Sequence, residues 1–205
     1  MAIRDVFRWV VLLTACFAVP AEGQRLVVLP GAASSASTGT MFSTATFAPV
    51  GTINAIPHAF LAFGNQAGSR FYVITTSGLV VVSSSGTQVQ TLAISPTVTG
   101  AALSPDGRKL VATSGTSSSG SLTVFDVSGN TASQTAVVTV DNNAQDVAVS
   151  SDSKTAWVVS ASGVTPVDLG ANSAGTLFSL AGLAPSSGAK PGISVGPNGP
   201  APVRG

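Results

Sequence analysis

Residues 102–111 read Ala-Leu-Ser-Pro-Asp-Gly-Arg-Lys-Leu-Val and carry the strongest structural signal in the sequence. A short apolar segment runs into a turn, and a second apolar segment follows at once. Pro105 fixes its own φ at about −65°, the side chain of Asp106 can hydrogen-bond its own backbone, and Gly107 tolerates a positive φ. This stretch therefore predicts a tight antiparallel β-hairpin.

The same pattern recurs along the chain. A polar turn residue follows a short apolar strand at Asn65, Asp106, Asp152 and Asn198, at successive intervals of 41, 46 and 46 residues. The aligned segments are residues 59–66, 100–107, 146–153 and 192–199. We interpret the turn as a structural element made by Asn65, Ser104, Pro105, Asp106, Gly107, Asp152 and Asn198.

Each of the first three turns is followed by three more predicted strands, which gives units at about residues 58–95, 98–140 and 145–181. Four antiparallel strands with a period of about 40–45 residues are typical of a β-propeller blade. We therefore predict an all-β, β-propeller-like fold. It has about three complete four-stranded blades, packed face to face around a common axis, and partial units at both ends.

Two other architectures fit less well. A helical solenoid of similar period would need apolar stripes that repeat every 3.6 residues, and the sequence has none. A β-sandwich would also show regularly spaced strands, but it would not repeat the same turn at the same offset.

Residues 102–111 resemble the VAVSPDGKxLYV core of YVTN-type propeller repeats, and residues 147–150 match it more weakly. Residues 123–126 (TVFD) and 166–168 (PVD) are similar to the VxVID strand of the same repeat. WD-repeat proteins share the S-P-D-G hairpin, but their Gly-His and Trp-Asp pairs are absent here. The resemblance covers about residues 58–199 and implies the fold of a bacterial, exported repeat protein rather than a particular activity.

Two positions depart from the repeat. Residues 151–153 read Ser-Asp-Ser where Pro-Asp-Gly is typical. Pro166 interrupts a predicted third strand, which indicates an edge or a bulge. We expect the aromatic residues Phe125 and Trp157 to pack between blades.

The ends of the repeat array are incomplete by this interpretation. Residues 24–57 are predicted to be a linker and a partial leading blade, residues 58–199 the propeller repeats, and residues 200–205 the tail of a truncated blade. Closed propellers have about 4–8 blades. We therefore expect either a fragment of a longer propeller or a chain that self-associates to cover its open blades.

Residues 1–23 predict a signal peptide. Arg4 and Arg8 form a positive start, residues 9–19 form an apolar run that is too short to span a membrane, and residues 21–23 (AEG) offer a cleavage site before Gln24. An alternative is lipidation of Cys16, because residues 13–16 (LTAC) resemble a lipobox. Either route places the mature chain outside the cytoplasmic membrane, as a secreted, periplasmic or lipid-anchored protein.

Composition argues against nucleic acid as a partner and against a membrane-spanning segment in the mature chain. Only 8% of residues are charged and the net charge is +1, so nothing favours nucleic acid binding. After residue 24 no segment is apolar over 18 residues, so no transmembrane segment is expected in the mature chain. The chain has one cysteine, Cys16, and one histidine, His58.

Three groups of residues are candidates for catalysis or metal binding. His58 is interpreted as a polar residue of a loop between blades, because no second histidine is available to build a metal or catalytic site. Residues 141–146 (DNNAQD) are rich in oxygen ligands, but they lack the glycine and glutamate that an EF-hand loop requires. The four repeated carboxylates recur with the unit, as turn residues do and catalytic pairs do not: Asp106, Asp126, Asp152 and Asp168. We predict no catalytic, cofactor or metal site, and hence no cofactor.

The leading functional hypothesis is a non-catalytic scaffold whose loops bind a protein or a small ligand. The alternative is a fragment of a propeller enzyme, such as a lactonase-like or quinoprotein-like domain. An enzyme would need His, Glu or Arg from several blades, and the complete units contain few of these residues.

Overall fold

The computed structural model of the chain describes residues 9–11, 25–30, 38–54, 56–180 and 192–195. Within these ranges every regular element is a β-strand, which confirms the all-β prediction. The strands form four separate antiparallel sheets, and strands that follow one another along the chain are neighbours in each sheet, except for the last strand of the fourth sheet. The described residues form no helix that could cross a membrane.

The first sheet contains β1 (Trp9–Val11), β2 (Arg25–Pro30), β3 (Gly39–Ser43) and β4 (Pro49–Ile53). The second sheet contains β5 (Ala59–Gly64), β6 (Arg70–Thr75), β7 (Gly78–Ser83) and β8 (Gln88–Ala93). The third sheet contains β9 (Val98–Leu103), β10 (Lys109–Thr116), β11 (Ser119–Asp126) and β12 (Ser133–Val140). The fourth sheet contains β13 (Asp146–Val149), β14 (Thr155–Val159), β15 (Gly163–Asp168), β16 (Ser173–Ala174) and β17 (Phe178–Ser179).

The middle strands of the second and third sheets are buried on both faces. β6 and β7 each have five consecutive buried positions, and their sequences are nearly continuous apolar runs, as expected for strands that are covered on both sides. The last strands, β8 and β12, are largely exposed. In these two sheets the middle strands are therefore the most buried and the fourth strand is the most exposed.

The chain divides into two compact units, residues 1–93 and 94–205. In the first unit, the first two sheets share a core of Val27, Met41, Ile53, Ile56, Ala59, Ala62, Phe71, Val73, Val80 and Val82. In the second unit, the third and fourth sheets share a core of Val111, Leu122, Val124, Val138, Val140, Ala144, Val147, Ala156, Val158, Val167 and Leu169. Within each unit two sheets pack face to face, as the blade prediction requires.

The leading sheet has more strands than the predicted partial blade. β1 pairs with β2 in the register Trp9 to Pro30, Val10 to Leu29 and Val11 to Val28. These three residues fall within the predicted signal peptide, residues 1–23. Cleavage before Gln24 would leave β2, β3 and β4 in this sheet.

Pro166 shapes the outer edge of the fourth sheet rather than breaking its own strand. β15 runs through Pro166, which lies opposite Trp157 on β14. On the other side the carbonyl of Pro166 accepts the amide of Gly175 at 2.7 Å, but proline has no N–H to donate in return. The outer strand is accordingly split into β16 and β17, both of which pair with β15.

Candidate functional site

The repeat turn of the third sheet is held by two side chains that act together. Ser104 Oγ donates to Asp106 Oδ1 at 2.6 Å and accepts the amide of Lys109 at 2.9 Å. Asp106 Oδ1 also accepts the amide of Arg108 at 3.1 Å. The carboxylate and the hydroxyl therefore tie the start of β10 to the end of β9.

The fourth sheet repeats this arrangement. Ser150 Oγ donates to Asp152 Oδ1 at 2.5 Å and accepts the amide of Thr155 at 2.9 Å. Asp152 Oδ1 accepts the amide of Lys154 at 3.1 Å. Ser150 was not among the predicted turn residues, although the shared Ser-x-Asp spacing with residues 104–106 could have identified it.

Asn65 makes the same turn by a different route. The backbone amide of Asn65 donates to the carbonyl of Arg70, just as the backbone amide of Ser104 donates to the carbonyl of Lys109. Asn65 is therefore equivalent to Ser104 and not to Asp106. Its Oδ1 accepts the amides of both Ser69 and Arg70, at 2.9 and 3.1 Å. One asparagine thus replaces a serine–aspartate pair. Asn198, the fourth predicted turn residue, lies outside the described residues.

The last residue of each turn has a positive φ. Gly68 and Gly107 have φ of 65° and 69°, and Ser153 takes the same conformation at 61°. Left-handed backbone costs a residue with a Cβ roughly 1–2 kcal/mol. The hydroxyl of Ser153 offsets part of that cost, because it accepts the amide of Asp106 from the neighbouring sheet at 3.1 Å.

We expect the variant Ser153→Gly to be more stable than Ser153→Ala by about 1 kcal/mol. Both variants lose the hydrogen bond to the amide of Asp106, but only glycine relieves the positive φ. Urea unfolding of both variants and of the parent chain measures the difference. If alanine were as stable as glycine, the left-handed conformation at this position would be refuted.

The carboxylates near the turns have lowered pKa values. The pKa of Asp152 is lowered by the hydrogen bonds from Ser150 and from the amide of Lys154, and that of Asp126 by the hydroxyl and the amide of Ser128. The amides of Ala171 and Gly170 lower the pKa of Asp168. For Asp106, burial acts to raise the pKa, but hydrogen bonds from Ser104 and Arg108 and the charge of Arg108 outweigh it.

These shifts predict loss of stability in acid. A carboxylate whose pKa is lower in the folded than in the unfolded state stabilises the fold above its unfolded pKa, about 3.9 for aspartate, and stops doing so as the pH falls through its folded pKa. We expect the melting temperature to be nearly constant from about pH 7 to 5 and to fall below about pH 4. Circular dichroism melts of the parent and of an Asp126→Asn/Asp152→Asn double variant test this. The double variant should depend less on pH, and a melting temperature that rises on acidification would contradict the assignment.

One end of the second unit, which we call the turn end, contains the turns at residues 104–107 and 150–153. All the cationic side chains that the structure describes in this unit lie there. Arg108, Lys109 and Lys154 lie at or beside the two turns. The ammonium group of Lys109 donates to the carbonyl of Leu169 in the fourth sheet. The carboxylates of Asp106, Asp126, Asp152 and Asp168 lie at the same end of the unit.

The opposite end, which we call the loop end, is formed by residues 114–121, 141–146 and 160–163. Asp141 Oδ2 accepts the hydroxyl of Ser160 at 2.7 Å, and this bond lowers the pKa of Asp141. Asn142 Nδ2 donates to the carbonyl of Ser117 at 2.9 Å. Residues 141–145 therefore form a loop that links the third and fourth sheets, and Asp146 begins β13.

Close backbone packing at the loop end depends on two glycines that the sequence did not single out. Gly115 and Gly120 face each other across β10 and β11. A Cβ at Gly120 would lie 1.8 Å from the carbonyl oxygen of Asp141, and one at Gly115 would lie 2.5 Å from the amide nitrogen of Ala144. Asn143, with φ of 54°, donates its amide to the carbonyl of Thr116 at 2.8 Å.

The remaining predicted residues fall into different environments. His58 is exposed, has φ of 59° and accepts the amide of Thr76 through its carbonyl. Phe125 is fully buried. Trp157 is only half-buried and makes a tilted contact with Phe178, their ring centroids 6.3 Å apart. Cys16 lies outside the described residues.

Five aspartates of the second unit have lowered pKa values: Asp106, Asp126, Asp141, Asp152 and Asp168. Across the described ranges, no three His, Cys, Asp or Glu side chains come together as a group that could hold a metal ion.

The fold is similar to several solved structures. Hydrazine synthase of Kuenenia stuttgartiensis matches with a TM-score of 0.62 at 14% identity, over 76% of this chain and 46% of that chain. A 6-phosphogluconolactonase-like protein of Bacteroides uniformis matches with a TM-score of 0.57 at 14% identity, over 76% and 50%. One of Bacteroides fragilis matches with a TM-score of 0.53 at 16% identity, over 70% and 47%.

These proteins have propeller-type folds, and together with the repeated four-stranded sheets they establish a β-propeller fold for this chain. The chain spans half or less of the length of each. No protein-family model and no curated protein matches the sequence.

Proposed function

We propose that the chain is a non-catalytic, extracytoplasmic β-propeller scaffold built from YVTN-type repeats, and that its loops bind a protein or a small ligand. The observation that carries this proposal is the use of the repeated carboxylates. Asp106 and Asp152 each accept a hydroxyl and a backbone amide within their own turn. Groups committed in this way stabilise hairpins and leave recognition to the loops.

The loop end of the second unit is the better candidate for the binding surface. Among the described residues it contains Asp141 and Asp146 but no lysine or arginine. Ser117, Ser118 and Asn142 are exposed there, on loops that the two sheets hold in place. Hydroxyl, amide and carboxylate groups suit a neutral or cationic polar ligand and disfavour phosphate, which arginine and lysine usually bind.

The second candidate is part of a propeller enzyme, and the lactonase-like neighbours favour it. A phosphorylated lactone would need cations close to its phosphate. In the described part of the second unit the cations lie at the turn end, where Lys109 is engaged by the carbonyl of Leu169. The scaffold is therefore the simpler interpretation.

Hydrolysis of 6-phosphogluconolactone by the purified chain separates the two candidates. The scaffold predicts no rate above spontaneous hydrolysis. A rate above background that is lost in Asp141→Asn, at the loop end, would overturn the scaffold in favour of the enzyme. Turn variants such as Asp152→Asn provide the control, since they weaken folding without touching the loop end.

Export is tested separately. Expression of the full chain in a bacterium, followed by fractionation and N-terminal sequencing, should yield a chain that starts at Gln24 outside the cytoplasm. A chain that stays in the cytoplasm with Met1 in place would refute export. A chain that begins at a lipidated Cys16 would show the anchored alternative.

A further inference from the structure

The fourth sheet has an apolar face that points away from the third sheet. Side chains alternate between faces along a strand, and the core shared with the third sheet contains Val147, Ala156, Val158 and Val167. The opposite face, which we call the outward face, follows from the strand register. It consists of Ala148, Trp157, Val159, Val164, Pro166 and Phe178.

These six positions have counterparts in the third sheet. There, Ala102 pairs with Val111 and Val111 with Val124, just as Ala148 pairs with Trp157 and Trp157 with Pro166. A second row, in which Leu122 lies between Thr113 and Val138, matches the row in which Val164 lies between Val159 and Phe178. Of these counterparts, Val111, Leu122, Val124 and Val138 belong to the core shared with the fourth sheet, and Ala102 packs against that core.

The two faces share a pattern of paired apolar residues, but several of these residues differ in how deeply they are buried. Val138 is 6% exposed, whereas its counterpart Phe178 is 57% exposed. Val111 and Val124 are fully buried, whereas Trp157 and Pro166 are only half-buried. The outward face is therefore as apolar as a sheet-to-sheet interface; Ala148 and Val159 are buried in it, but Trp157, Pro166 and Phe178 are less buried than their counterparts.

The structure also shows which segment approaches this face. The amide of Ile193 donates to Asp146 Oδ2 at 3.1 Å, beside the start of β13. The third and fourth sheets show an equivalent contact. Gly100 of β9 lies against Asp146 of β13, since a Cβ added at Gly100 would come within 2.8 Å of the Cα of Asp146. Gly100, Asp146 and Gly192 are 46 residues apart in sequence, so the contact between successive innermost strands is repeated.

Burial in residues 192–195 has the alternation of a strand. Gly192 and Ser194 are exposed, while Ile193 and Val195 are partly buried. We propose that the outward face is a blade interface, and that residues 192–195 of this chain cover it in the manner of an innermost strand. This proposal concerns the assembly of the repeats and does not depend on the ligand of the scaffold.

Trp157 reports directly on this face. The chain has two tryptophans, so a Trp9→Phe background leaves Trp157 as the only indole. In the full-length chain on this background, Ile193→Asp/Val195→Asp should shift the emission of Trp157 to longer wavelength and increase its quenching by acrylamide. The matched control Ser194→Asp, on the exposed side of the same segment, should change neither quantity.

A second variant guards against misfolding of the first. Asp146→Ala removes the acceptor of the Ile193 amide without adding charge to the segment, and it should expose Trp157 in the same direction. If neither variant changes the quenching of Trp157, residues 192–195 do not cover the face and the proposal is overturned. If quenching instead falls as the protein concentration rises and is the same in both variants as in the parent, a second copy of the chain covers the face. That result also overturns the proposal.

Discussion

Replacing Gly120 with alanine is expected to lower the free energy of unfolding by about 2–4 kcal/mol, at the upper end of the usual range for overpacking. The added methyl group would lie 1.8 Å from the carbonyl oxygen of Asp141. That atom belongs to backbone and cannot rotate away as a side chain would. Urea unfolding measured by circular dichroism gives the free energy directly.

The loop has little freedom to move aside. Asn143 donates its amide to Thr116 and Asn142 donates its side-chain amide to Ser117, so the loop is bonded to the hairpin that carries Gly120. Relief of the clash would break these bonds and separate the third sheet from the segment that leads into the fourth.

Gly129 provides the matched control. A Cβ at Gly129 would meet only the carbonyl oxygen of Thr131, at 4.0 Å, which is an ordinary contact. Gly129→Ala should therefore change stability by no more than about 0.5 kcal/mol, as surface substitutions usually do. Equal effects at Gly120 and Gly129 would mean that the loop does not lie against the hairpin.

The sequence predicted the parts of the fold that depend on local order. The turn at residues 104–109 was recognisable because proline, aspartate and glycine each have one physical role there, and Gly107 indeed has a positive φ. The strands that follow were recognisable as apolar runs. A repeated signal of this kind predicts both the four-stranded sheets and their packing within a unit.

Contacts between distant residues were not predictable in the same way. Nothing near Gly120 in sequence indicates that Asp141 will lie against it, since a glycine in a strand is equally compatible with a bulge or a bend. Asn65 was aligned with Asp106 by its chemical type, but its hydrogen bonds place it with Ser104. Similar side chains can occupy different positions of one turn when each satisfies the same amides.

The candidate surface was predictable only in outline. The sequence indicates an oxygen-rich loop between blades at residues 141–146; the loop is formed by residues 141–145, and Asp146 is the first residue of β13. The segregation of the cations Arg108, Lys109 and Lys154 to the other end could not be seen from composition, because it depends on which strand ends meet.

Replacing Leu122 with alanine is expected to cost about 3 kcal/mol, within the range of about 2–5 kcal/mol for a buried leucine truncated to alanine. Leu122 is fully buried in the core that the third and fourth sheets share. Each sheet of a repeat array gains most of its stability from its neighbours, so the cavity should weaken both sheets of the second unit.

The control is Val137→Ala, on the adjacent strand β12, where the side chain is 56% exposed. This substitution should lower the free energy of unfolding by no more than about 0.5–1 kcal/mol, because little apolar surface is returned to water. Urea unfolding followed at several wavelengths should give one transition for the second unit in both variants, with an unchanged dependence on denaturant. If Leu122→Ala cost no more than Val137→Ala, the apolar residues of β11 would not pack against the fourth sheet, and the face-to-face arrangement of this unit would be wrong.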